Sequence, residues 1–145
     1  MQIVTEVNIG KTTPQEVMEF LMTLNRKKYR AWHPQHINFE WVRKTEELTG
    51  SMIRLKERLW FIPLNDVWEV IAYHPSNGIR LKSTNRKNTY FGLSFGIKNE
   101  ANMVVQTIEI EHQNPKWHIE YNPFIKLFIV LYRKHTIEEY SELNK

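Results

Sequence analysis

From residue 3 to residue 9 apolar and polar positions alternate, with Ile3, Thr5, Val7 and Ile9 on one side. A period of two predicts a half-buried strand. The period then changes. "TTPQE" offers Thr13 as a cap, Pro14 at the first helical position and Glu16 to complete a capping box. Val17, Phe20, Leu21 and Leu24 follow at helical spacing and predict a helix ending near Asn25. A short second helix is expected over "RKKYRAW", with Pro34 ending or turning it. Strand patterns then succeed one another: "INFEWV", "SMIRLKERLWFI", "VWEVIAY" closed by the turn "HPSNG", "IRLKST", "TYFGLSFGI" and "NMVVQTIEIEHQ". In the second of these, Met52, Arg54, Lys56 and Arg58 face one way and Ile53, Leu55, Glu57 and Leu59 the other.

From about Pro123 the spacing is helical again, through Phe124, Leu127, Phe128, Leu131, His135, Glu138 and Glu139, and a long helix is expected to run to near Leu143. Its first half is strongly apolar and must lie on something. Strand, helix pair, about six strands and a long helix make an α+β chain. One curved antiparallel sheet wrapped around the C-terminal helix buries both and leaves a cavity between them. The 145 residues suit a single domain, 1–145.

Composition narrows the chemistry. There is no cysteine, so a disulfide framework and a thiolate nucleophile are excluded, and a metal must be held by His, Asp, Glu or backbone oxygen. No signal peptide is evident and "LFIVLY" is too short to span a bilayer, so a cytoplasmic location without a membrane role is expected. The net charge of +4 is spread over several short runs, which reads as surface and solubility rather than as a nucleic-acid footprint. Neither a G-x-G-x-x-G fingerprint nor a P-loop is present. Trp32, Trp41, Trp60, Trp68, Phe91 and Phe95 are expected mostly in the core.

Three polar groups break the pattern. Glu57 falls on the apolar side of its strand, where a bare carboxylate is costly unless paired or metal-bound. A strand bulge that exposes it is the plain alternative. His135 continues the helix stripe, and Glu139 lies one turn on, so both side chains aim at one point. Taken alone, that pair also fits an ordinary surface contact. His33 and His36 stand on either side of Pro34 in an aromatic turn, "YRAWHPQH". In the expected fold a loop histidine, Glu57, His135 and Glu139 converge, and such a donor set suits zinc.

The motifs "YRAWHPQH", Gly50–Ser51 followed by Glu57, and "HTIEEYSEL" resemble small domains of the START-like (SRPBCC, polyketide cyclase-like) superfamily related to 2,4-diacetylphloroglucinol hydrolase. The resemblance implies a helix-grip fold with an internal hydrophobic cavity and a zinc held by two His and two Glu. It places the metal on Glu57, His135, Glu139 and, because it ends the turn motif, His36, with His33 as the other choice. Tyr140 stands where a small residue is expected, and Thr136 where Met is usual. The resemblance implies a zinc-dependent hydrolase acting on an acyl-ketone or phenol-type substrate by carbon–carbon bond hydrolysis. His33 is then a candidate proton shuttle. Tyr29, Tyr90 and Tyr121 are the hydroxyl donors available, with His33 and Tyr121 the catalytic candidates. The alternative is a non-catalytic carrier of a small hydrophobic or aromatic molecule, since such a cavity binds apolar ligands without a metal. Substrate and oligomeric state stay open.

Overall fold

The computed structural model describes residues 1–9, 12–75, 77–84, 89–98, 103–112 and 123–142. Their order is β1 (Gln2–Asn8), α1 (Pro14–Met22), α2 (Arg26–Trp32), β2 (His36–Arg43), β3 (Met52–Leu59), β4 (Ile62–His74), β5 (Gly78–Ser83), β6 (Thr89–Lys98), β7 (Met103–His112) and α3 (Pro123–Glu142). The strands form one seven-stranded sheet in the order β1-β7-β6-β5-β4-β3-β2, antiparallel throughout. α3 touches β1 at one edge and β3 next to the other edge, so the sheet curls around the helix. This is the α+β helix-grip architecture that the hydrophobic pattern predicts.

Local chemistry explains most boundaries. Thr13 accepts a hydrogen bond from the Glu16 N–H at 3.2 Å, and Pro14 needs no partner at the start of α1. Asn25 caps α2 in the same way through the Lys28 N–H, at 2.9 Å. Alternation holds along β1, where Ile3, Thr5 and Val7 are buried and their neighbours exposed. The inner face of the sheet carries Ile53, Trp68, Leu81, Leu93 and Ile108 into the core. Leu131, Tyr132 and Tyr140 of α3 complete it from the other side. Gly50 takes a φ of +84°. Ser51 beside it is fully buried and accepts from the Thr45 N–H at 2.9 Å, which seats the turn before β3.

Two expectations fail around the β3–β4 hairpin. "SMIRLKERLWFI" is not one strand. Leu59 pairs with Ile62, leaving Trp60 and Phe61 as a two-residue turn. Trp60 takes a φ of +58° and is 61% exposed, so it is not core. That region normally favours glycine, and a residue with a Cβ gives up roughly 1–2 kcal/mol there. β4 also starts five residues before the expected Val67, at Ile62. Pro63 is tolerated because the pairing of β4 with β5 begins only at Trp68, so no ladder bond is lost at Pro63.

Candidate metal centre

The turn between α2 and β2 places the first histidine. Pro34 stops α2, the His36 N–H bonds the His33 carbonyl at 3.0 Å, and β2 begins at His36. His36 lies directly opposite Glu57 in the β2–β3 ladder, and a bulge follows it before Asn38. Such a bulge re-aims the side chain next to it. His135 and Glu139 come from the inner face of α3, one turn apart. His36, Glu57, His135 and Glu139 are all buried.

Their ligating atoms face one another. His36 Nε2 lies 3.2 Å from His135 Nε2 and 3.1 Å from Glu139 Oε2. His135 Nε2 lies 3.3 Å from the same Glu139 oxygen. Four donors at zinc bond lengths stand about 3.2–3.6 Å from each other around a tetrahedron, so these spacings fit one cation. Glu57 is the outer member. Its Oε2 is 3.7 Å from His135 Nε2, and its other oxygen accepts a short hydrogen bond from the Tyr29 hydroxyl.

The outer partners set the tautomers. His36 Nδ1 lies 2.8 Å from the Tyr29 carbonyl, which only accepts, so that nitrogen carries hydrogen and the Nε2 lone pair faces inward. His135 Nδ1 lies 2.7 Å from Gln35 Oε1, so that nitrogen carries hydrogen too and Nε2 turns inward. Tyr29 also stacks on the His36 ring, with centroids 3.9 Å apart. Gln35 gives no periodic signal in the sequence and escapes pattern reading. Gln35→Leu is expected to lower zinc affinity about 10- to 100-fold, as lost outer partners do, and Gln35→Glu to keep most of it because an acceptor remains. Competition with a chelating dye measures both.

Burial alone would depress the His135 pKa. The neighbouring Glu139 carboxylate, its hydrogen bond and Glu57 outweigh burial and raise it to about 9. Burial would raise Glu139, but His135, its hydrogen bond and the neighbouring His36 bring it down to about 2. The Tyr29 phenol is pushed up, first by burial and then by the Glu57 carboxylate and its hydrogen bond, so it stays a donor. The buried cluster therefore favours a positive charge, carried in the metal-free chain by a proton on His135.

His33 takes a different part. Its Nδ1 accepts from the Gln35 N–H at 3.1 Å, so Nε2 carries the hydrogen and donates to Glu138 at 3.0 Å. Both ring nitrogens are thus engaged outside the cluster, although the ring lies 4.6 Å from that of His135. Burial lowers its pKa, against the opposing pull of Glu138. Among the tyrosines named from the sequence, Tyr29 reaches the site. Tyr90 lies on the face of β6 opposite to the buried Phe91 and Leu93. Tyr121 lies outside the described residues.

A cavity of about 70 Å³ adjoins the cluster. Leu21, Phe39, Ile53, Leu81 and Leu93 make apolar wall, and Glu57 and Glu139 mark its polar end. Tyr132 and Tyr140 line it too, and neither was marked as a site residue by the sequence. The Tyr140 hydroxyl is buried without a hydrogen-bond partner among the described residues. Thr136, behind it on α3, bonds Gln106 Oε1 at 2.6 Å. Trp32 ties α2 to α3 by donating to the Glu139 carbonyl at 2.6 Å.

No protein-family model matches the chain. No curated protein matches it by sequence. Solved structures do match in fold. Ginseng major latex-like protein 151 from Panax ginseng superposes with a TM-score of 0.70 at 15% identity, over 95% of this chain and 94% of its own. A START superfamily protein from Mycobacterium smegmatis gives 0.63 at 12% identity, over 97% and 93%. The Zhui aromatase/cyclase from Streptomyces sp. R1128 gives 0.58 at 12% identity, over 94% of each chain. The chain shares the fold of these structures, a curved antiparallel sheet gripping a long C-terminal helix. Among the described residues no helix is long and apolar enough to cross a membrane.

Proposed function

We propose that this chain binds a small apolar or aromatic molecule bearing an oxygen donor, with a zinc ion held by His36, His135, Glu139 and Glu57 at the polar end of the cavity. The observation that supports the metal is the convergence of His36 Nε2, His135 Nε2 and one Glu139 oxygen within 3.3 Å of one another, a spacing that one cation fits. Two carboxylates and two neutral imidazoles balance a divalent ion and suit zinc over harder cations. When bound, zinc supplies Lewis acidity toward an oxygen of the ligand. The residues of the chain do the rest. Leu81, Leu93 and Phe39 exclude water from the apolar part of the ligand. Tyr29 holds Glu57 in place. Tyr140 offers a free hydroxyl to a ligand acceptor.

Purified protein is expected to carry about one zinc per chain, by elemental analysis. A metal-free protein that refuses added zinc sinks the reading. Tyr140→Phe separates the ligand from the metal. It removes an unpartnered buried hydroxyl and is expected to stabilise the ligand-free protein by up to about 1 kcal/mol. The same change is expected to weaken a phenolic or ketone ligand by several-fold and to leave zinc content unchanged. Thermal melts and a fluorescence displacement titration read the two effects.

A hydrolytic reading rests on the pair His33–Glu138. His33 is buried against His135, while Glu138 is 43% exposed on its side chain, so the pair links the cluster to solvent. In hydrolysis of an acyl-arene the acyl–aryl carbon–carbon bond breaks. Water's oxygen joins the acyl carbon to give the carboxylic acid, and the ring carbon takes a proton. In this reading His33 relays that proton, giving up its hydrogen bond to Glu138 to do so. Release of a carboxylic acid from an acyl-phenol, lost in His33→Phe with zinc retained, would establish it.

A further inference from the structure

The face of α3 that turns away from the cluster is not used by the zinc site. Leu127, Val130, Lys134 and Ile137 follow at steps of three and four residues and so lie in one line. Val130 is 64% exposed and Ile137 47%. Lys126 and Arg133 beside this line are exposed as well. The tip of the β3–β4 hairpin joins it, because Lys134 Nζ lies 5.6 Å from the centre of the Trp60 ring. Phe61, next to Trp60, is 67% exposed. A two-residue turn of this kind is ordinarily made with glycine or asparagine. Here a large aromatic side chain occupies the left-handed position and gains no core burial in return, an outlier of the kind found at functional surfaces.

Charge decides what fits. Lys134 lies in the apolar line, and Lys126 and Arg133 border it. The nearby acid, Glu138, is already bonded to His33 and lies 3.8 Å from Lys134. A second copy docked about a two-fold axis would bring this cationic face against the same face of its partner. An anionic lipid surface answers both halves of the pattern. Aromatic and aliphatic side chains enter the headgroup boundary, and lysine and arginine meet the phosphates.

We propose that this face docks the protein on a bilayer containing anionic lipid, with Trp60, Phe61, Val130 and Ile137 entering the interface. This departs from the expectation of no membrane role drawn from the sequence; the surface arises only where the hairpin and α3 meet. Docking needs no metal and stands apart from the zinc reading. It would also set the outer side of the site's own helix against the phase in which apolar molecules dissolve, since Lys134 adjoins His135.

The test is co-sedimentation of the full chain with vesicles of phosphatidylcholine alone and of phosphatidylcholine with phosphatidylserine. Binding is expected to the mixed vesicles, to weaken with salt, and to fall about fivefold for each cation removed from the face. Trp60→Gly relieves the backbone at the turn, so it is expected to melt no lower than the parent and still to lose most of its binding. Phe61→Ser is expected to lose binding as well. Equal behaviour with and without phosphatidylserine overturns the proposal. So does binding that salt abolishes but Trp60→Gly and Phe61→Ser leave intact, which is charge alone. A concentration-dependent dimer that Trp60→Gly dissociates, with no vesicle binding, assigns the face to a second copy and overturns it too.

Discussion

Glu139→Gln is expected to lower zinc affinity by more than about a hundredfold, beyond the loss that follows removal of an outer partner. The reason is placement. Glu139 Oε2 is within 3.1 Å of His36 Nε2 and 3.3 Å of His135 Nε2, so it contributes charge at the centre of the cluster. An amide in its place offers a neutral, weaker oxygen or turns an N–H toward the metal. Glu57→Gln is expected to cost less. Glu57 Oε2 stands 3.7 Å from His135, at the margin of the cluster, and Tyr29 shares its charge. The order Glu139 above Glu57 is therefore the diagnostic result. It is read by competition with a chelating dye, with circular dichroism to show that both variants are folded. Retention of zinc in Glu139→Gln would place the ion elsewhere. A larger loss in Glu57→Gln would mean that the centre of the site lies toward the sheet.

What the sequence made legible follows from where geometry is fixed by spacing. An i, i+4 pair must share a helix face, so spacing alone pairs His135 with Glu139. A strand sends alternate residues to one side, so Glu57 among Leu55 and Leu59 had to be buried or explained. The choice between His33 and His36 was not fixed in that way. Both are buried, at 4% and 3% exposed. They differ in what their ring nitrogens meet. Glu138, from the far end of the chain, takes His33 Nε2, and the Tyr29 carbonyl turns His36 Nε2 inward. Contacts between distant segments leave no local trace, and Gln35 is hidden for the same reason.

The hairpin shows the opposite limit. Leu59 to Ile62 is four apolar residues in a row, with no glycine, asparagine or proline among them to announce a turn. Its turn is held by the pairing on either side, from Met52 opposite Glu69 to Leu59 opposite Ile62. Tertiary pairing thus overrides local preference at Trp60. Tyr140 is a milder case. A position expected to be small holds a fully buried ring that packs edge-on against Trp32 and lines the cavity. The larger residue narrows the space beside the cluster, and its buried hydroxyl has no hydrogen-bond partner among the described residues.

Zinc affinity is expected to fall about tenfold for each pH unit below the His135 pKa of about 9, hence roughly a hundredfold between pH 8 and pH 6. The metal must displace the proton that Glu139 and Glu57 hold on His135. About one proton is therefore released per zinc near pH 7, measurable by calorimetry in buffers of different ionisation enthalpy. The metal-free protein runs the other way. His135 is raised from 6.5, so its contribution to stability is complete below about pH 6.5 and is lost as pH rises through about 9. Glu139 is lowered from 4.5, so its contribution is complete above about pH 4.5 and is lost as pH falls through about 2. Both shifts describe one buried pair and count once, for about 3 kcal/mol. Melts of the zinc-free protein should be highest between about pH 4.5 and 6.5 and decline toward pH 9, while added zinc stabilises most at the alkaline end. His135→Gln should flatten the alkaline decline and remove the proton release together. A pH-independent zinc affinity between pH 6 and 8 in the parent protein would show that the imidazole does not give up a proton to the metal.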